Sequence, residues 1–185
     1  SLVVTALASA WATAGLAQTT VTWDGSTDMT WTQPDSTSWS GATYESGNTA
    51  VFAGAGPGTV TISGTVTPGQ VNVTSGSYTF SGGLGGSTPS SGLAKSGTGT
   101  LTLSGSAANT YQGVTTVSGG TLTLSKTSGV VAVPGDLSIS GTGTMVVWTS
   151  NLDGQIGDTS AVTLNSPDGF FNGTGAATGA VTTTD

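Results

Sequence analysis

Apolar and hydroxyl-bearing side chains alternate along most of this chain, in short runs fenced by glycine. The clearest run is Gly99-Thr100-Leu101-Thr102-Leu103-Ser104-Gly105, where Leu101 and Leu103 fall on one face and the hydroxyls on the other. A period of two over that length predicts a half-buried strand. The cassette recurs whole from Gly58 to Gly64, from Gly76 to Gly82 and from Gly135 to Gly141, and again from Gly120 with Lys126 in place of the closing glycine. Successive starts lie 18, 23, 21 and 15 residues apart. One such strand cannot bury its own apolar face, but a stack can, so a unit recurring at about twenty residues predicts a solenoid. Thr49–Phe52 reads as the first clean strand, Val71 and Val73 as part of another, and Ala161–Leu164 as a late one. At about 4.8 Å per coil, the chain from Thr49 to Leu164 would make roughly six coils and a rod on the order of 30 Å long.

Composition narrows the class. Only 6% of the 185 residues are charged, and Ser, Thr and 31 Gly supply the polarity. Such a composition can signal disorder, but the alternating Val, Leu and Ile point to an ordered core. The formal net charge is −7, and the only cations are Lys95 and Lys126. No basic patch for nucleic acid or an anionic membrane can be built from two lysines. Cysteine and histidine are absent, which excludes disulfides, thiolate or histidine zinc sites, and Ser-His-Asp or Cys-His catalysis. Carboxylate pairs are the remaining catalytic option. Asp24, Asp28 and Asp35 form the one acidic group near aromatic residues, with no lysine or arginine among them. The expectation is a non-enzyme without a cofactor.

The first 48 residues differ in texture. Ser1–Gln18 is apolar, rich in small residues and uncharged, and Gly15-Leu16-Ala17 before Gln18 is similar to the cleavage site of a secretory signal. Two readings stand side by side. The segment is either the hydrophobic end of an export signal or an assembly element. In the second, Leu2, Val3, Val4, Leu7, Trp11 and Leu16 cross a subunit boundary in a head-to-tail homopolymer, and such a heterologous contact grows a filament. Trp23, Trp31 and Trp39 follow at intervals of eight residues, among the three aspartates. Flat rings beside carboxylates can stack on pyranose faces, making a glycan platform. The favoured alternative is a cap of bulky side chains over the open end of the solenoid. The chain thus divides into an apolar segment (1–18), a Trp-rich cap (19–48) and a β-helix (49–185).

Two loops stand out. Gly82–Ser91 reads as a flexible insertion between coils. In Ser150–Thr159, Asn151, Asp153 and Asp158 lie among glycines and are the one Ca²⁺ candidate. Their spacing fits neither an EF-hand nor a nonapeptide calcium repeat, which favours an ordinary polar loop. Phe170 and Phe171 are expected to plug the last coil, and 173–185 to form a strand or a loose tail.

One stretch carries a family likeness. Leu93-Ala94-Lys95-Ser96-Gly97-Thr98-Gly99-Thr100-Leu101-Thr102-Leu103-Ser104-Gly105, then Asn109-Thr110-Tyr111-Gln112-Gly113, Thr115-Thr116-Val117 and Gly119-Gly120-Thr121-Leu122, resembles the autotransporter-associated β-strand repeat, also called the passenger-associated transport repeat. Trp23-Asp24-Gly25, Trp31, Trp39 and 47–52 are more loosely similar to the leader that precedes such repeats in large bacterial surface proteins. The resemblance implies an all-β fold, a right-handed parallel β-helix exported to the bacterial cell surface, and no enzyme. Leu93, Leu101, Leu103, Val114, Val117, Leu122 and Leu124 are then expected to line the inside, with Gly97, Gly99, Gly105, Gly113 and Gly119 at corners. Asn109 is expected to bond backbone in a turn, Tyr111 to stack at a corner, and Lys95 to sit in solvent. The functional expectation is a structural extracellular protein, the subunit of a homopolymeric surface fibre or layer, with no transmembrane domain in this chain. The alternative is a passenger or adhesin module that binds glycan.

Overall fold

The computed structural model describes residues 18–25, 28–148, 154–165, 170–172 and 181–183. Among them there is no helix, and so none long and apolar enough to cross a membrane. The chain runs through β1 (Thr20–Trp23), β2 (Thr30–Trp31), β3 (Trp39–Ser40), β4 (Thr49–Ala53), β5 (Gly58–Ile62), β6 (Gln70–Ser75), β7 (Tyr78–Ser81) and β8 (Leu93–Lys95). It continues through β9 (Thr100–Gly105), β10 (Thr115–Val117), β11 (Thr121–Lys126), β12 (Leu137–Ser140), β13 (Met145–Trp148), β14 (Val162–Asn165), β15 (Phe170–Asn172) and β16 (Val181–Thr183).

From β4 onward successive strands alternate between two sheets. The first has the order β16-β14-β12-β10-β8-β6-β4-β1-β3, and the second β15-β13-β11-β9-β7-β5-β2. Each strand therefore pairs with the strand one coil away, in parallel, which is the topology of a β-solenoid. Five complete two-strand coils run from β4 to β13, and β14 opens the next. Both sheets already begin inside the Trp-rich stretch. β1 pairs in parallel with β4, and β2 with β5. The one antiparallel neighbour is β3, which lies across the outer edge of β1.

The alternation seen in the sequence is what stacks the coils. β9 and β11 pair over six positions, placing Leu122 on Leu101 and Leu124 on Leu103, all four buried. A one-residue slip would turn every leucine outward and every threonine inward, so the pattern fixes the register. The glycine fences have a steric cause. At the corner between β8 and β9, Gly97 and Gly99 have φ of +62° and +92°, and a Cβ on either would overlap a carbonyl oxygen of the coil beneath, that of Thr74 or Gly76. Only glycine lets coils approach this closely with that backbone.

A third, irregular face closes each coil. Val66 bridges Leu84, and Val133 bridges Ile156, all with side chains facing the core. Two sequence expectations fail here. The loop 82–91 is no loose insertion. Leu84 and Ser91 are buried, Gly85 N donates to Val66 O at 2.9 Å, and Ser87 N donates to Pro68 O at 3.0 Å. Val114 is not an inward residue but 47% exposed. Thr115 and Val117 hold the inward positions of β10, on Leu93 and Lys95 of β8, and the period of two then turns Val114 out.

Candidate functional site

Three sets of side chains deserve chemical scrutiny: the aromatic group at the first coils, the two lysines, and the acidic turns. The aromatic group forms because β1, β2 and β3 each carry a Trp at an inward position. Trp31 is the hub, with ring centroids 5.2 Å from Trp39, 5.3 Å from Tyr44, 5.5 Å from Phe52 and 5.9 Å from Phe80. Trp39 stacks on Tyr44 at 4.9 Å, and Trp23 on Phe52 at 5.4 Å. All three indoles are buried. A sugar platform needs an exposed ring face, and Trp23, Trp31 and Trp39 spend theirs on one another. Among the described residues they stand at the end of both sheets, where they fill the core as a plug would.

The plug carries a polar cost. Trp31 Nε1 and the Tyr44 hydroxyl are buried against each other without a well-formed hydrogen bond, at a cost of up to about 1–3 kcal/mol each. Edge-to-face and stacked ring pairs return about 0.5–1.5 kcal/mol apiece beyond area burial, and this cluster has many. Burial pushes the Tyr44 hydroxyl well above its ordinary pKa.

The aspartates of this region build turns. Asp35 is buried; its Oδ1 accepts from Thr37 N at 2.9 Å and its Oδ2 from the Trp39 indole at 3.1 Å. Asp28 Oδ1 accepts from Thr30 N at 2.7 Å. Among the described residues no three His, Cys, Asp or Glu side chains gather where they could hold a metal ion. Asn151 and Asp153, two of the three Ca²⁺ candidates, lie outside the described residues, and Asp158 stands in the turn before β14. The assembly residues Leu2, Val3, Val4, Leu7, Trp11 and Leu16 lie outside them too.

The lysines overturn an expectation. Lys95 is not a surface residue; it is 0% exposed, and its Nζ donates to the carbonyls of Ser96, Gly97 and Gly119 at 2.9, 2.9 and 3.0 Å. Its place explains this, because it stacks in register between Val73 and Val117 on the inward face. Lys126 is its counterpart after the second sheet. Buried at the inward end of β11, it donates to the carbonyls of Gly82, Ser104 and Ala107 at 2.6, 3.1 and 2.8 Å. Each ammonium thus ties corner carbonyls of neighbouring coils, and neither ion-pairs with a described carboxylate. Burial draws both below the ordinary lysine value, Lys126 to about 8.

Amides complete the inner polar set. Asn109 takes a rung of the third face: its Oδ1 accepts from Leu84 N at 2.9 Å and its Nδ2 donates to Ala132 O at 2.6 Å, one coil on either side. Asn109 thus bonds backbone across coils rather than within its own turn. Tyr111 is buried with its hydroxyl 2.6 Å from Thr115 Oγ1. Gln155 was not singled out by the sequence, yet its Oε1 accepts from Lys126 N at 2.9 Å and its Nε2 donates to Lys126 O at 3.1 Å. Of the repeat residues, Leu93, Leu101, Leu103, Val117 and Leu122 line the core, while Gly105 and Gly120 turn corners at φ of +94° and +67°. A Cβ on Gly113 would press on the carbonyls of Ser90 and Ser91.

These features define a class: a parallel β-solenoid, plugged by aromatic rings at its first coils and tied at its corners by buried amines and amides. Within it, residues 93–124, from β8 into β11, match one family model, described as Passenger-associated-transport-repeat. No curated protein matches the chain, and no solved structure does. The repeat and the solenoid together suggest an autotransporter passenger-like protein of the bacterial surface.

Proposed function

We propose that this chain is a structural segment of an exported bacterial surface protein, a β-solenoid that supplies extended, stacked length and performs no catalysis. The observation that carries the reading is the setting of the transport repeat. Its strands stand in unbroken parallel register with coils before and after it, so repeat and flanks form one rod. The inner polar residues serve the backbone of neighbouring coils, and the acidic side chains of the aromatic end serve turns and an indole. That distribution suits a spacer.

The test is accessibility on intact cells that express the full gene product. An antibody raised on this chain should label unpermeabilised cells, and external proteinase K should abolish the signal. Trypsin is the wrong probe, because the chain has two lysines, both buried, and no arginine. Label that appears only after lysis would overturn the proposal. A homopolymeric fibre is the second reading. Electron microscopy of the purified chain separates the two: single short rods leave the spacer, and long filaments select the fibre.

A further inference from the structure

The outer faces of the two sheets differ in a way that the spacer role does not require. On the second sheet, the outward positions of β5, β7, β9 and β11 form straight lines of hydroxyls. Pairing places Thr59 against Thr79, Thr79 against Thr102 and Thr102 against Thr123. A parallel line runs Thr30, Thr61, Ser81, Ser104, Ser125. Register holds without a bulge through these strands. The equivalent line on the first sheet reads Thr22, Val51, Asn72, Ala94, Thr116, Ser138, a mixture without chemical period.

We infer that this hydroxyl face of the second sheet binds an ordered water lattice, the surface of ice. Coils repeat at about 4.8 Å and outward neighbours along a strand at about 6.6 Å, so the face is a two-dimensional grid of hydroxyls, a line of threonines beside a mixed line of threonines and serines in which Ser104 Oγ already donates to Phe80 O at 3.3 Å. Each outward Thr presents a hydroxyl beside a methyl group, and no described residue takes up the hydroxyls of Thr59, Thr79, Thr102 or Thr123. A single hydroxyl–water bond is worth little net, so adhesion to ice needs many equal contacts at the repeat of the crystal. Stacked strands supply equal contacts at one fixed repeat. Charge favours the same occupant. Outward positions of β5, β7, β9 and β11 carry no ionised, amide or aromatic side chain, and ice excludes ions. A polysaccharide site would be expected to show aromatic rings or amides, and here the aromatics face inward. The line ends at β13, where Val147 follows Thr123 and Met145 follows Thr121.

The test uses the whole chain and three variants, with circular dichroism to confirm the sheet. The chain should inhibit ice recrystallisation and facet growing crystals. Thr102→Tyr, at the centre of the grid, should abolish both effects, and Thr116→Tyr on the first sheet should leave them intact. Should Thr102→Tyr fail to fold, Thr102→Val keeps the shape, removes one hydroxyl and should weaken the effect. An inert wild-type chain overturns the inference, as does equal loss in the two tyrosine variants. Retention on microcrystalline cellulose or chitin that Thr102→Tyr removes, with no effect on ice, overturns it in favour of a polysaccharide.

Discussion

The first coils and the transport-repeat coils solve the same packing problem with different residues. Around β1 to β7 the interior is aromatic: Trp23, Trp31, Trp39, Tyr44, Phe52, Tyr78 and Phe80 interlock across several strands. From β8 to β11 it is mainly aliphatic, leucine on leucine, with Tyr111 as the single buried ring and lysines and amides at the corners. The difference follows from neighbours. An inner coil has a coil on each side, so aliphatic stacks and shared carbonyls complete it. Where the two sheets end among the described residues, at β3 and β2, the coil has described strands on one side, and large rings that reach across coils fill its core, even with the Trp31 indole and the Tyr44 hydroxyl short of well-formed hydrogen bonds.

The comparison is tested most strongly by cutting a hole on each side of it. Trp31→Ala removes the hub of the aromatic group and should cost about 3–5 kcal/mol, at the upper end of large-to-small changes. Leu101→Ala should cost about 2–5 kcal/mol in a coil held from both sides. Location distinguishes them more sharply than size. In a one-dimensional stack, Trp31→Ala should strip hydrogen-exchange protection from β1, β2, β4 and β5 and spare β9 to β11. Equal loss over all strands would make the rod one cooperative unit and end the distinction.

A loss of comparable size is expected at Asn109. Asn109→Ala orphans Leu84 N–H and Ala132 C=O, at about 1–3 kcal/mol each, and should register in urea unfolding. The decisive control is Asn48→Ala, an exposed-loop amide bonded to Thr43 O at 3.3 Å, which should change stability by only a few tenths.

How much of this was legible follows from the pattern itself. Alternation between glycines set the strands, the parallel stack and most of the core, because a period of two leaves each side chain a single face. The same pattern also placed the lysines. Lys95 is two residues from Leu93, and Lys126 two from Leu124, so both share the inward parity. Expecting Lys95 in solvent let its charge outweigh its position. What made burial affordable was invisible in one dimension: carbonyls from other coils, 24 and 44 residues away in sequence for the longest reaches of Lys95 and Lys126. Gln155 was missed for the same reason, since its partner Lys126 is 29 residues distant. The aromatic plug was readable as a cap, but its hub was not, because centrality depends on which coils the rings cross.

The lysine ties give the next test. Lys126→Met keeps length and removes the amine, leaving Gly82 O and Ala107 O without that donor, while Ser104 O keeps its bond from Gly82 N at 3.2 Å. Removing a desolvated charge offsets part of the loss, so the expected cost is about 1–3 kcal/mol. A stability gain in urea unfolding would show that the corner carbonyls do not need the amine, and the repeat coils would then be aliphatic stacks alone.

The pH profile divides the comparison differently: its rising limb comes from the two lysines, and its falling limb from tyrosines of both regions. Burial lowers Lys126 to about 8 from the ordinary 10.5, so between those values the unfolded chain holds a proton that the folded chain has released. The unfolded state then binds more protons, and stability rises with pH through that window. Lys95 shifts in the same direction. The buried Tyr44 of the aromatic end and Tyr111 of the repeat act oppositely. Their hydroxyls stay protonated in the fold well above the ordinary 10.0, while the unfolded chain ionises there, so stability falls as pH climbs past 10. Urea midpoints measured from pH 7 to 11 should therefore climb from about pH 8, peak near 10 and then drop. Lys126→Met should flatten the rising limb and leave the fall. Tyr44→Phe should do the reverse, shallowing the fall while the rise persists. A wild-type profile flat between 8 and 10 would mean that the three carbonyls hold the ammonium at its ordinary value, balancing its desolvation in full.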